Sequence, residues 1–203
     1  MIFTPEKEES LAAFIKTRMS PYRFSHTMSV VCECRELLRY YRAPRNTLII
    51  SAYLHDVTKE MPTPEQLALC EEAGIEISPD TLRSEKTLHA ESAPAFIKKY
   101  LPEFYTEETA EIIRSHTTGI PDMTLGQKLL FLADFIEPTR RFDECVDVRR
   151  YFYSKENKDI RHLNETILYA LRLTIKELAV SKCFIHGMTI QAYNYLVITE
   201  NMK

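Results

Sequence analysis

Four glycines among 203 residues leave few places where the backbone can take the left-handed conformations that tight hairpins need, and the ten prolines fall mainly between apolar-periodic stretches. That punctuation belongs to helices joined by short turns, so the expected fold class is all-α. The clearest helix spans 158–180, where Ile160, Leu163, Ile167, Leu171 and Leu178 form one apolar stripe opposite a charged face. Further helices are expected near 6–18, 24–42, 45–56, 64–73, 89–100, 106–117, 124–136 and 188–197. Runs such as Leu48-Ile49-Ile50 and Leu196-Val197-Ile198 are β-branched but short, with no hairpin signal to pair them. No linker or repeat divides the chain, so residues 1–203 are read as one domain, with core motifs at about 20–140 and C-terminal helices at about 155–198 packing on it.

A hydrophobic share of 45% is enough for a real core. The 26 basic and 29 acidic residues leave a net charge of −3, without the basic field that coats nucleic-acid polymers. The first residues carry acids, and no apolar run reaches the roughly 18 residues of a membrane span, so a cytoplasmic protein without membrane contact is expected. Cysteines 32, 34, 70, 145 and 183 make no Cys-x-x-Cys pair and read as free thiols, mostly buried.

Chemistry concentrates in a few polar residues. His26, the pair His55-Asp56, His89, His116 and Asp134 each fall on or beside a different expected helix, flanked at helical spacing by apolar residues such as Val30, Ala52, Ile113 and Leu130. They should therefore face inward, where unpaired imidazoles and carboxylates are costly and a metal would offset the cost. Singly, each reads as an ordinary core histidine or carboxylate. Together, with no two histidines one helical turn apart as in a mononuclear zinc protease, they fit a two-metal centre, for which iron, manganese and zinc all suit the donors.

These residues also resemble a known family. His26, His55-Asp56 and Asp134 follow the H…HD…D pattern of the HD superfamily of metal-dependent phosphohydrolases. His55-Asp56-Val57-Thr58-Lys59-Glu60, His116-Thr117-Thr118-Gly119 and Ala133-Asp134-Phe135-Ile136-Glu137-Pro138 are similar to the HD-x-x-K, H-T-T-G and A-D-[YF]-I-E-P blocks of its YqeK branch, the symmetrically cleaving bis(5′-nucleosyl)-tetraphosphatases. The match runs over about 20–198 and includes a closing segment, Ile185–Leu196. The resemblance implies an HD-domain helical bundle with a di-metal centre in its core, most similar to di-iron enzymes. His26, His55, Asp56 and Asp134 would hold one ion; Asp56, His89 and His116 would hold the second, with Asp56 bridging. A hydroxide held between the cations would attack phosphorus in line.

Lys59, three residues after Asp56, is the candidate to stabilise charge on the phosphoryl and leaving groups; otherwise it is a solvated lysine beside Glu60. Arg140 and Arg23 are candidate phosphate contacts, with Arg141 a lesser one; otherwise they are surface charges. Thr117 and Thr118 are candidate phosphate or ribose contacts, while Gly119 alone would only cap a helix. His162 lies on the charged face of its helix and is expected in solvent; His186 receives no role. Two places depart from the family pattern. Leu88-His89-Ala90-Glu91 stands where Leu-His-Gly-Pro is usual, and Thr139 stands where the loop after Pro138 usually has glycine.

The expected function is therefore symmetric hydrolysis of diadenosine tetraphosphate to two ADP, with a small-molecule nucleotide as partner. The alternatives are phosphohydrolysis of a dNTP, cyclic nucleotide or alarmone and, from another class, a di-iron oxygenase or a binding scaffold without turnover. Exposed Tyr and Phe residues leave a homodimer face open.

Overall fold

The computed structural model describes residues 3–201, and among them every regular element is helical. In chain order these are α1 (Pro5–Lys16), α2 (Pro21–Leu37), α3 (Arg45–Leu54), α4 (Thr63–Glu72), α5 (Pro79–Arg83), α6 (His89–Tyr100), α7 (Glu107–Ser115), α8 (Leu125–Ile136), α9 (Asp143–Ser154), α10 (Ile160–Val180) and α11 (Gly187–Asn201). Single 3-10 turns at Glu85–Thr87 and Pro102–Phe104 flank α6. Proline occupies the first turn of α1, α2, α4 and α5, where its missing N–H costs nothing. None of the helices is long and apolar enough to cross a membrane.

Two elements, α5 and α9, were not expected from the sequence. The first is a single Ser-Pro-capped turn, its Ser78 Oγ accepting from Thr81 N at 3.1 Å. The second has Asp143 and Glu144 in its first turn and buries only Cys145, Val148 and Phe152, a stripe too thin to stand out among its charges. Expectation also fails at His162. It is 3% exposed, stacks on Phe152 at 5.5 Å and places Nε2 3.0 Å from the Phe152 carbonyl. The helix face called charged meets α9, the element that was missed.

The core is one cluster. α2, α3 and α8 pack on one another, α7 lies against α3, α6 and α8, and α10 packs on α8, α9 and α11. Val30, Ala52, Ile113 and Leu130, the expected inward flanks, are all fully buried. Of the five thiols Cys34, Cys70 and Cys145 are buried, while Cys32 and Cys183 are exposed.

Candidate metal centre

Two of the histidines sit at helix C-termini, where backbone carbonyls lack helical partners. His55 is the residue after α3, and its Nδ1 lies 2.8 Å from the Ala52 carbonyl. His116 follows α7 in the same way, with Nδ1 2.6 Å from the Ile113 carbonyl. Each carbonyl, that of Ile113 also accepting from His116 N at 3.2 Å, accepts the Nδ1 proton and so leaves the Nε2 lone pair pointing outward from the ring. His26, inside α2, has Nδ1 3.1 Å from Oε1 of Glu137. Asp134 sits in the last turn of α8, whose start is set by a reciprocal Thr124–Gln127 capping box.

These groups converge on Asp56. Its Oδ2 lies 3.6 Å from His26 Nε2 and 3.4 Å from His55 Nε2; its Oδ1 lies 3.1 Å from His89 Nε2 and 3.9 Å from His116 Nε2. Asp134 Oδ1 approaches His26 Nε2 at 3.0 Å and His55 Nε2 at 3.9 Å. The donor atoms of His26, His55 and Asp134, and those of His55, Asp56 and His116, form two sets within 4.8 Å. Five of the six residues are in these sets; His89 joins through its contacts at 3.1 Å to Asp56 and to His116 Nε2. Pro94 lies inside α6 without breaking it, and His89 is that helix's first residue.

Electrostatics follow from burial and from these neighbours. Burial opposes ionisation of Asp56, but His55 and His89 outweigh it and hold the carboxyl well below its usual range. Burial likewise opposes the charge on Asp134, and Arg140 and His26 overcome it. For His26 burial pulls the pKa down, yet Asp134 and Glu137 raise it to about 9. For His116 burial, reinforced by His55 and His89, outweighs Asp134 and Asp56 and lowers the pKa to about 3.

The donor set fits divalent cations. The Nε2 atoms of His26 and His55 are buried without a hydrogen-bond partner, despite carboxylate oxygens close by. Neighbours that are near but out of line are what ligands show when they aim at a common point rather than at one another. Three imidazoles carry the Nδ1 anchors typical of ligating histidines. His89 differs: Lys59 Nζ lies 3.1 Å from its Nδ1 and 3.4 Å from its Nε2, beside the ring rather than in line with either nitrogen.

The candidate phosphate contacts divide. A pocket of about 320 Å³ over the cluster is lined by Arg23, Lys59, Lys86 and Arg140 as well as by Asp56 and Asp134. Arg23 Nη1 donates to Asp56 Oδ2 at 2.5 Å, and Arg140 Nη2 to Asp134 Oδ1 at 2.7 Å. Although α3 stops before it, Lys59 is brought in by successive turns and donates to the Lys86 carbonyl at 2.8 Å. Burial lowers its pKa, offset in part by Asp56 and Asp134. Glu60, exposed beside it, accepts from Ser20 N and Oγ at 2.7 and 2.6 Å, tying the start of α2 to this turn. Thr117 lines the pocket with a buried, unpartnered Oγ1. Thr118 lines an adjoining pocket, and its hydroxyl donates to the Gly119 carbonyl. Arg141 is exposed and lines neither pocket.

Two supporting residues were missed. Glu137 is fully buried; burial raises its pKa, but hydrogen bonds from His26, Ser29 and Thr139 prevail and bring it down to about 2. The Thr139 amide and hydroxyl both donate to it at 2.6 Å, so the residue standing in place of glycine closes this loop. Arg149, on α9, donates to the carbonyls of Ile136, Glu137 and Arg140 beyond the end of α8. Glu137 was visible in the sequence inside a recognised block. Arg149 carried no local signal.

Known proteins share this fold. Residues 23–139 match the HD domain. The symmetrical bis(5′-nucleosyl)-tetraphosphatase of Halalkalibacterium halodurans is 28% identical over 92% of this chain and 95% of its own. The protein of that name from Bacillus subtilis is 27% identical over 94% and 97%. A crystal structure from Clostridium acetobutylicum, described as an HD superfamily hydrolase involved in NAD metabolism, superposes with a TM-score of 0.85 at 26% identity, over 95% of this chain and 97% of that one. With helical architecture, an HD match over more than half its length and the histidine–aspartate cluster in place, the chain belongs to the HD-domain family.

Proposed function

We propose that this protein hydrolyses dinucleoside tetraphosphates symmetrically, releasing two nucleoside diphosphates, with diadenosine tetraphosphate as the reference substrate. The observation that carries the reading is the placing of four cationic side chains over a histidine–aspartate cluster in one pocket, in a chain whose relatives of that name match it nearly end to end. The two oxygens of Asp56 face different histidine pairs, which supports Asp56 as the bridge between an ion held with His26, His55 and Asp134 and an ion held with His89 and His116. Two such ions, when bound, supply Lewis acidity and lower the pKa of water near neutral pH. Iron is the metal we propose from the family resemblance.

This chain's own residues do the remainder. Arg23 and Arg140, planar and fixed at the pocket wall, match pairs of phosphate oxygens. Lys59, held between the Lys86 carbonyl and His89, presents a cation where charge develops on the transferring phosphoryl and departing diphosphate. Anion-exchange separation of the products from iron-loaded protein and diadenosine tetraphosphate tests the reading. ADP alone, lost on chelation, supports it; ATP with AMP, or no cleavage, overturns it.

A further inference from the structure

A second pocket of about 620 Å³ adjoins the one over the cluster, and Thr87 and Thr117 line both. The two differ in charge. The first carries Arg23, Lys59, Lys86 and Arg140; the second carries Glu91, Glu111 and Asp122 against one arginine, Arg114. That arginine is already paired, 3.1 Å from Glu107 and 3.7 Å from Glu91. An anion would gain little in this second pocket. Its walls include Ala90, Ile120 and Met188, an apolar surface beside carboxylates able to accept from hydroxyl or amino donors.

We infer that the second pocket receives one uncharged nucleoside of the dinucleotide, while the polyphosphate crosses the Thr87–Thr117 seam into the cationic pocket. The inference rests on the tetraphosphatase reading and adds to it a site for the base and ribose. At the seam, Thr117 Oγ1 is buried with no partner, unlike Thr87, whose hydroxyl is spent on the Ser84 carbonyl at 2.8 Å. A ribose hydroxyl or bridging phosphate oxygen passing between the pockets would meet that free group. The far wall is tied together by hydrogen bonds. His186 Nδ1 accepts from Met188 N at 3.2 Å, which directs its Nε2 proton to Thr81 Oγ1, also at 3.2 Å. Asp80 accepts from Gly187 N at 2.9 Å, an approach so close that a Cβ at 187 would sit 2.7 Å from the carboxylate. These bonds pin the start of α11 to α5 and hold Met188 in place. The cavity volume lies in the range of about 300–1,000 Å³ usual for small-molecule sites.

The test has two arms. Adenosine is titrated into protein carrying labelled isoleucine and methionine methyls, without added metal. Shifts at Ile120 and Met188 are expected, the Met188 shift being lost in Ile120→Trp and the Ile120 shift in Met188→Trp; a parallel titration with inorganic pyrophosphate should leave both methyls unmoved. In metal-loaded protein, either tryptophan variant should raise KM for diadenosine tetraphosphate at least tenfold with kcat within threefold. Adenosine shifts absent from both methyls, pyrophosphate shifts present there, or an unchanged KM in the folded variants would overturn the inference. If the wild-type protein makes no ADP, the tetraphosphatase reading has failed instead, and the titration still decides whether the pocket takes a nucleoside.

Discussion

His26 shows how much one imidazole depends on the residue behind it. Its Nδ1 is held by Glu137, which is buried and ionised because His26, Ser29 and Thr139 all hydrogen-bond to it. Glu137→Gln keeps the shape and removes the charge. Since outer partners of metal-ligating histidines are worth about 10–100-fold in metal affinity, affinity should fall by that factor, read by competition with a chelator. Asp56→Ala should release metal and abolish turnover while circular dichroism keeps its helical signature. Lys59→Met separates binding from chemistry: metal content should stay and kcat should drop about 10²-fold or more. Unchanged turnover would return Lys59 to a passive role. All the candidate ligands but His89 were legible as residues because the sequence motifs carry them; His89 stands in a segment that departs from the family pattern. Which nitrogen of each ring faces the centre was not, because that depends on a carbonyl three residues back or a carboxylate 111 positions away.

At the scale of elements, the instructive helix is α9. It lies outside the HD match, which ends at residue 139, yet its Arg149 holds three carbonyls between the end of α8 and Arg140. A cation at a helix C-terminus meets both the unsatisfied carbonyls and the negative end of the dipole. Arg149→Met should therefore cost about 3 kcal/mol, a fall in Tm of roughly 6–12 °C for a chain of this length. KM should rise with it as Arg140 loses its support. Helices α10 and α11 likewise reach the site, lending Leu171, Thr174 and Thr189 to the cationic pocket. The α10 stripe was readable from its period, although Ile160 at its start is 46% exposed. The burial of His162 was not, because a face is polar or apolar only relative to what packs on it, and what packs there is α9.

For the whole molecule, two measurements report on groups buried with their charges. Divalent metal that binds only the folded state stabilises it by mass action, about 2.7 kcal/mol at a hundredfold excess over Kd. Thermal melts should rise by about 5–10 °C with metal and stay flat in Asp56→Ala. The second measurement concerns Glu33, 6% exposed, which accepts from the Tyr153 hydroxyl. Burial, its largest influence, raises its pKa above the ordinary 4.5 even though Tyr153 and Arg149 oppose the shift. The fold therefore favours the neutral acid, a contribution complete below pH 4.5 and lost as pH rises through the folded value. Glu33→Gln should raise Tm at pH 7 and leave it unchanged at pH 4; a loss at both would show that the charge itself is needed.

Scarce glycine, edge prolines and a 3.6-residue period were enough, by the sequence alone, to specify nine of the eleven α-helices among the described residues and most of their inward faces, and the ordered motifs named every candidate of the cluster but His89. Periodicity says which face of a helix is buried but not which helix buries it. The tertiary structure alone decided that Glu137 stands behind His26, that Arg149 ties off α8, that His162 is covered, and that a second, acidic pocket opens beside the cationic one, because each depends on side chains brought together from helices distant in the chain.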